Sequence, residues 1–509
     1  MNDVAPRMIR KTSPVDGRLL VEIPMASPGE VDDAVAAARA AWPAWRALSV
    51  RGRLRRLDRV AELVKANGEA WAARIADDTG KPLVDTLMTE LMMVPLFLRW
   101  YRRHAPRILR RRRARTPIIL WPRRGWIEHD PMGVIAVISP WNFPFNLSVV
   151  PMLSALIAGN AVVLKPSEVT PITGEVIREL FDAAGLPPGL VQVVQGDGQT
   201  GAALCEADVD KIFFTGSVET GRKVMAAAAR KPIPVELELG GKDAFIVCHD
   251  AHLERAAKAA VWGALVNAGQ MCTSVERILV VDGVYDRFVE LLRDEIAKVT
   301  VGPPEAHADM GPLILDRQER TIRAHLDDAR DRGAHLEFFD APDGGQFHPA
   351  VLVTGVTTDM RIWTEETFGP VVPVMRVADE DEAVRHANDH VFGLTGSVWT
   401  RDVRRGRALA SRIEAGQVNV NEVVVSVGDP SLPFGGVKHS GIGRYHGDDG
   451  LLGFTHTRAV LASGGRGRTE PFWFPYADKY DDMRSLFHHL LDGRLVAALR
   501  DQLRLTRDP

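Results

Sequence analysis

From Met132 onward the chain alternates short apolar runs with stretches of helical periodicity, and this alternation restricts the fold more than any other feature. Gly-Val-Ile-Ala-Val-Ile-Ser (133–139), Ala-Val-Val-Leu (161–164), Val-Gln-Val-Val (191–194), Lys-Ile-Phe-Phe (211–214) and Ala-Phe-Ile-Val (244–247) are too short for helices and too apolar to face water. Strands of that kind are covered on both faces, as in a parallel sheet between helices. A second series follows: Arg-Ile-Leu-Val-Val (277–281), Val-Val-Pro-Val-Met-Arg-Val (371–377), Gly-Ser-Val-Trp-Thr (396–400) and Gly-Gln-Val-Asn-Val-Asn (416–421). The expectation is an α/β protein of two doubly wound domains, with Glu238 near their seam. Ahead of both series, Ser27 to Ala66 reads as a helical hairpin. Ser-Pro-Gly-Glu (27–30) caps its start, and Val31, Ala34, Val35, Ala38 and Trp42 recur at three- and four-residue steps.

A chain of 509 residues exceeds what one core holds, and 46% hydrophobic residues fill more than one. Its formal charge of −3, from 63 basic and 66 acidic side chains, argues against a globally basic nucleic-acid binder. Cys205, Cys248 and Cys272 are too few and too irregularly spaced for a disulfide framework or a zinc site, so no metal and a reducing cytoplasm are expected. Cys205 and Cys248 read as core residues. The N-terminus has no apolar signal core, and no run approaches about 18 apolar residues, so a soluble protein is expected.

Glu238, in Glu-Leu-Gly-Gly-Lys (238–242), and Cys272, in Asn-Ala-Gly-Gln-Met-Cys-Thr-Ser (267–274), carry the chemistry. A thiol that attacks a carbonyl later requires a carboxylate to activate water against the thioester. Gly269, Gln270, Thr273 and Ser274 give Cys272 a small, polar setting that suits an exposed thiol rather than a buried hydrophobe. Two glycine loops compete for a dinucleotide. Residues 196–201, Gly-Asp-Gly-Gln-Thr-Gly, match G-x-G-x-x-G literally, but no acidic residue clearly at a strand end follows about twenty positions on, and a plain glycine turn is the competing reading. Gly216-Ser217-Val218-Glu219-Thr220-Gly221 is the better candidate: it follows the apolar run 211–214 and opens a helix, where N–H groups and the Ser217 hydroxyl can meet pyrophosphate. Asn142, between Trp141 and Pro144, is open between a turn residue and a functional amide.

From about residue 10 to 460 the chain resembles the aldehyde dehydrogenase superfamily of the non-acylating, NAD(P)-dependent type. Besides the segments around Glu238 and Cys272, the resemblance rests on Pro-Trp-Asn-Phe-Pro (140–144), Leu-Lys-Pro-Ser-Glu (164–168), Phe-Thr-Gly-Ser (214–217), Glu-Glu-Thr-Phe-Gly-Pro (365–370) and Pro-Phe-Gly-Gly-Val-Lys (433–438), in the family's order. It implies Cys272 as nucleophile, Glu238 as general base and Asn142 as oxyanion donor. It also implies a cofactor site made of Ser139, Pro140, Trp141, Lys165, Ser167, Glu168, Gly216, Ser217, Gly221, Leu239, Gly240, Glu366 and Phe368. Lys165 and Glu168 match positions that hold the adenine ribose, and Glu366 and Phe368 those beside the nicotinamide ribose and ring. A carboxylate at 168 repels a 2′-phosphate, so NAD is expected, with NADP still possible.

The layout it implies is a Rossmann-like NAD-binding domain (1–104 and 129–239), a catalytic domain (240–443) and a small β oligomerisation element (105–128 and 444–465). A C-terminal amphipathic extension (466–509) follows, and a homodimer or homotetramer is expected. Gly-Arg-Tyr-His-Gly (443–447) and Phe-Thr-His (454–456) are similar to the class 3 and fatty-aldehyde branch, whereas the N-terminal half resembles betaine- and semialdehyde-oxidising members.

Phe143, Phe145, Leu147, Met271 and the loop Val423-Val424-Val425-Ser426-Val427 surround the expected site, with no arginine evidently placed for a substrate carboxylate. Such a lining favours a medium- or long-chain aliphatic or an aromatic aldehyde as the small-molecule partner; a semialdehyde or betaine aldehyde is the alternative. Two readings of another class are acyl transfer to coenzyme A, whose enzymes typically lack the general-base glutamate, and a non-catalytic homologue. Ten arginines fall in 102–124. They read as a solvated face or subunit contact, or as attraction to anionic lipid. After the aromatic run Phe472-Trp473-Phe474-Pro475-Tyr476, the residues Met483, Leu486, Phe487, Leu490 and Leu491, then Leu495, Leu499 and Leu503, trace one amphipathic helix. It is open between packing on protein and lying at a membrane interface.

Overall fold

The computed structural model describes residues 7–465 and 470–505. Residues 1–6, read for a signal core, and 466–469 and 506–509 of the C-terminal extension lie outside the described residues. Every apolar run named above lies on a strand. In the first sheet Val134–Ile138 is central. Ala161–Lys165 and Val191–Val193 lie to one side of it, and Lys211–Thr215 and Val235–Glu238 to the other, all parallel. The short strand Gly441–Ile442 closes one edge antiparallel to Val235–Glu238. Chain direction across the sheet reverses at Val134–Ile138, so a crevice opens beyond the carboxyl ends of the strands there.

The second sheet orders seven strands as His335–Phe338, Val351–Thr354, Val371–Val377, Val275–Val281, Asp243–Val247, Thr395–Trp399 and Gln417–Val420. All its pairings are parallel except that of His335–Phe338 with Val351–Thr354. A continuous apolar core surrounds it, in which Phe245, Ile278, Leu279 and Val280 are fully buried. The N-terminal helical hairpin consists of Pro28–Arg46 and Val50–Thr79, and the Ser27–Glu30 capping box forms with both reciprocal bonds.

Leu109–Asp130 and Thr455–Pro509 form a smaller compact unit. In it, Arg124–Pro131 lies between Thr455–Ala462 and Arg112–Arg113 in a three-stranded sheet. The stripe read as one helix is two, Tyr480–Leu491 and Leu495–Leu505. The chain breaks at Gly493, whose φ of +68° no helix accommodates. The helices pack through Leu486, Ala498 and Leu505, while Ser485 and His489 both bond the Asp501 carboxylate, at 2.8 and 2.7 Å. Among the described residues no helix is long and apolar enough to cross a membrane.

Candidate active site

The carboxyl ends of four parallel strands of the first sheet bound a cleft of about 950 Å³, a volume suited to a dinucleotide with substrate. Ser139, Pro140 and Trp141 follow Val134–Ile138 directly. Lys165, Ser167 and Glu168 follow the next strand, Gly216 and Ser217 follow Lys211–Thr215, and Leu239 and Gly240 follow Val235–Glu238; all of them line the cleft, as do Glu366 and Phe368. Gly221 does not. A Cβ there would come within 2.7 Å of Leu239, so its place is behind the wall, letting the helix approach Leu239 closely. Ser217 caps the helix Val218–Ala229 by accepting from the Thr220 N–H at 3.3 Å, and its hydroxyl, which lines the cleft, donates to Thr220 Oγ1 at 3.1 Å. Lys165 Nζ holds the half-exposed Glu168 carboxylate at 2.9 Å. The Ser139 hydroxyl is buried with no partner among the described residues, a polar atom awaiting a ligand. Of the competing loop 196–201, Gly198 and Gly201 reach the cleft, while Asp197 caps the helix Gly198–Glu206.

Glu366 and Phe368 are held by residues the motifs did not single out. Glu276, at the start of a buried strand, accepts from the N–H groups of Thr367 (2.7 Å) and Phe368 (2.9 Å), and from Lys242 Nζ (2.6 Å). Gln318 bonds the Thr367 carbonyl at 2.6 Å. This clamp fixes Phe368 at a φ of +53° and sets its ring edge-on to Trp141, with centroids 5.4 Å apart. The Glu366 carboxylate accepts from the Gly241 N–H at 3.0 Å. Gly241 also lets two chain segments meet, since a Cβ on it would lie 2.1 Å from the Cys272 carbonyl oxygen.

Cys272 is partly exposed within the cleft, and Glu238 and Asn142 line the same space. Three successive left-handed residues, Asn267, Ala268 and Gly269, deliver the chain to it. The Asn142 side-chain amide donates to the Gln270 carbonyl at 3.1 Å, and Asn267 donates to the carbonyls of Asn142 (3.0 Å) and Gln270 (3.1 Å). Gln270 in turn bonds Asn267 and the Ile314 N–H, both at 2.9 Å. Asn142 is therefore an amide tied to the loop that carries Cys272.

Neither Glu238 oxygen has a hydrogen-bond partner among the described residues. Burial first, then the Glu236 carboxylate two positions back on the strand, pushes Glu238 well above the ordinary carboxylate range, with Arg444 opposing. Glu236 is itself raised by burial against the pull of Lys211, whose Nζ lies 2.6 Å away. Burial and then the carboxylates of Asp243, Glu366 and Glu238 raise the Cys272 thiol. Glu366 and Asp243 are each pushed up to about 8, chiefly by burial. Of the other thiols, burial pushes Cys248, in the core, to about 12, and Cys205, buried but lining the cleft, to about 11.

Beside Cys272 lies an apolar cluster of Phe143, Val266 and Met271, with Leu147 and Val424 packed against it. Phe145, expected in this lining, is instead fully buried outside the cluster. Its N–H and that of Asn146 both donate to Glu90, at 3.1 and 2.9 Å, which caps the helix Asn146–Ala158 from another segment. Lys81 pairs with Glu90 at 2.5 Å and stands 3.8 Å over the Phe143 ring, so one buried ion pair orients the turn that carries Asn142 and Phe143. In the loop 423–427, Val423 enters the core and Val424 reaches the cluster at a φ of +60°, costly for a β-branched residue, while Val425 is exposed. The sequence did hold signals for the missed residues. Glu276 and Glu236 are charges within short strands next to apolar residues, and a charge buried there is paired or functional.

The sequence pattern of the aldehyde dehydrogenase family matches residues 2–460, and the chain belongs to that family. It is an NAD(P)-dependent aldehyde dehydrogenase. Among its relatives, 4,4'-diapolycopene aldehyde oxidase of Methylomonas sp is 43% identical over 97% of this chain and 94% of its own. A putative succinate-semialdehyde dehydrogenase [NADP(+)] of Mycolicibacterium smegmatis is 38% identical over 89% of each chain. The crystal structure of a Mycobacterium tuberculosis aldehyde dehydrogenase complexed with NAD+ superposes with a TM-score of 0.86 at 33% identity, covering 91% of this chain and 96% of that one.

Proposed function

We propose that this enzyme oxidises a hydrophobic aldehyde, medium- or long-chain aliphatic or aromatic, to the carboxylic acid, with Cys272 as nucleophile, Glu238 as general base and Asn142 as oxyanion donor. The observation that carries the reading is the set of groups gathered on one cleft. A partly exposed thiol shares its lining with a carboxylate that has no bonding partner among the described residues, and Met271, next to the thiol in the chain, belongs to an apolar cluster. The Cys272 sulfur, as thiolate, bonds the aldehyde carbon, and the resulting oxyanion is held by the Asn142 amide and the Cys272 N–H, each such donor contributing about 10²–10³ in rate. Ser139, Pro140, Trp141, Lys165, Ser167, Glu168, Gly216, Ser217, Leu239, Gly240, Glu366 and Phe368 hold the nicotinamide nucleotide, with Gly221 behind Leu239. The unpartnered Ser139 hydroxyl, the exposed helix start at Ser217 and the clamped Glu366 fit that group. When bound in oxidised form, it supplies the hydride acceptor that takes the adduct to a thioester on Cys272.

Glu238 then removes a proton from water. The water oxygen adds to the thioester carbon, the carbon–sulfur bond breaks, and the acid leaves with Cys272 restored as thiolate. A carboxylate buried this deeply, beside Glu236, is a stronger base than one in water. Its presence supports water rather than coenzyme A as the acceptor. Glu168 supports NAD over NADP, although Lys165 partly neutralises it. The buried, free Cys205 and Cys248 support a reducing, cytoplasmic setting.

An extended apolar aldehyde, of the kind in the Methylomonas relative's name, falls within the proposed class; the mycobacterial relatives' names favour a semialdehyde as the second reading. Initial rates with acetaldehyde, hexanal, decanal, benzaldehyde and succinic semialdehyde, under NAD and NADP, separate the two. Rising kcat/KM with chain length is expected. A sharp preference for succinic semialdehyde overturns the apolar reading.

A further inference from the structure

A nicotinamide dinucleotide brings a doubly charged pyrophosphate into the cleft, and the groups described above balance only part of that charge. The start of the helix Val218–Ala229 offers main-chain N–H groups equivalent to about half a positive charge. The Ser217 hydroxyl at that start is engaged with Thr220. Among the described residues, the cationic side chains lining the cleft are Lys165, Lys223, Arg230 and Arg317. The first three are already paired with carboxylates: Lys165 with Glu168 at 2.9 Å, and Lys223 with Glu219 and Arg230 with Glu206, each at 2.7 Å. Arg317 differs. Its carbonyl accepts from the Thr321 hydroxyl at 3.4 Å, whereas its guanidinium has no partner among the described residues.

The element that carries Arg317 is firmly held. Arg317 lies in the first turn of the helix Asp316–Asp331, which is locked onto the segment of Glu366 and Phe368. Gln318 donates to the Thr367 carbonyl at 2.6 Å, and His325 Nδ1 lies 3.2 Å from the Thr367 hydroxyl. A Cβ on Gly369 would come within 2.3 Å of Ile322, so helix and segment pack without a gap. Arg317 and Thr321, four positions apart, face the cleft from this helix. The uncompensated cation of the cleft is thus fixed to the same clamp that holds Glu366 and Phe368.

We infer that Arg317 is a further cofactor-binding residue, whose guanidinium pairs with the pyrophosphate and completes the charge balance begun at the helix start of Ser217. A planar guanidinium presents two parallel N–H donors to phosphate oxygens, which suits it to that group. The inference rests on the reading of this cleft as the nucleotide site and is independent of which aldehyde is oxidised. The pyrophosphate is unchanged by the reaction, so its contact contributes to binding rather than to the chemical step.

The test is initial-rate kinetics of the full chain with hexanal, measuring KM for NAD and NADP and the inhibition constants of ADP-ribose and adenosine against NAD. In Arg317→Gln, KM for NAD and the constant for ADP-ribose should both rise about tenfold, while kcat and the constant for adenosine, which lacks a pyrophosphate, hold within about twofold. Arg317→Lys, which keeps the charge without the planar fork, should fall between the two. Unchanged NAD and ADP-ribose constants in Arg317→Gln overturn the inference. So does equal weakening of adenosine, which would make Arg317 structural, or a loss confined to NADP, which would place it at the adenosine 2′-phosphate. Ser217→Asp separates this inference from the reading beneath it, because aspartate still caps the helix but repels the pyrophosphate. Retained NAD affinity in Ser217→Asp overturns both; weakened affinity there with unchanged affinity in Arg317→Gln overturns the arginine contact alone.

Discussion

At its proposed cofactor end the cleft is bounded by the carboxyl ends of four parallel strands, whereas the proposed substrate end lies at an apolar cluster drawn from separate loop and helix segments, of which Leu147 lines the cleft. The first end presents main-chain N–H groups and short side chains whose positions follow from the sheet. The second consists of Phe143, Leu147, Val266, Met271 and Val424, none of which lies on a strand. On the proposed assignment, recognition of the cofactor rests on backbone and choice of aldehyde on packing. Cys272 lines the cleft from a loop whose path is fixed by amide bonds rather than by a sheet.

Single substitutions at each end test that contrast. Cys272→Ala should lower turnover at least about 10³-fold with every aldehyde and both cofactors, since it removes the only proposed nucleophile; activity within a few-fold of wild type would place the chemistry elsewhere. Glu238→Gln should spare a single burst of NADH and slow the steady state about 10²–10⁴-fold, and stopped-flow fluorescence that shows no burst, or an unaltered steady-state rate, rejects the base assignment. At the substrate end, Met271→Ala should change the hexanal-to-decanal ratio of kcat/KM by about tenfold while leaving the KM for NAD alone. A uniform loss with all aldehydes would instead make Met271 structural. Glu168→Gln should raise kcat/KM with NADP relative to NAD by about tenfold, leaving aldehyde preference unchanged. The smallest effect is on pH dependence. Glu238 acts only when ionised, so its activity is lost as pH falls through its raised pKa. Glu236→Gln removes one cause of that elevation and should move the acidic limb of deacylation to lower pH; a limb that moves to higher pH contradicts the coupling.

Much of this arrangement was legible in the linear sequence, because it depends on local patterns. Apolar runs such as 133–139 and 371–377 read as strands because burial on both faces removes polar residues from them. The Ser27–Glu30 cap read correctly because both partners lie within one turn. Val235–Glu238 was missed as a strand because Glu236 and Glu238 interrupt the apolar run that marked the others. The continuous stripe from Met483 to Leu503 concealed a break, because Gly493 falls where helical periodicity runs on unchanged and only its φ declares the turn. Phe145 was assigned to the substrate lining by adjacency, yet neighbouring residues in a turn point different ways, and its N–H instead meets Glu90.

The alternation of strands and helices is written in the chain, as is the order of segments that bring Ser139, Lys165 and Gly216 to strand ends and Cys272 to a loop. Those follow from periodicity and from residue types within a few positions of one another. Folding in space brings Lys242 to Glu276, 34 positions away, to clamp the segment carrying Glu366, and sets Lys81 and Glu90 to orient the turn of Asn142. It alone also decided that Glu238 is stripped of water beside Glu236, raising its basicity. Proton affinity and buried pairing depend on which distant groups exclude solvent from a site, and that is a property of packing in space rather than of neighbours along the chain.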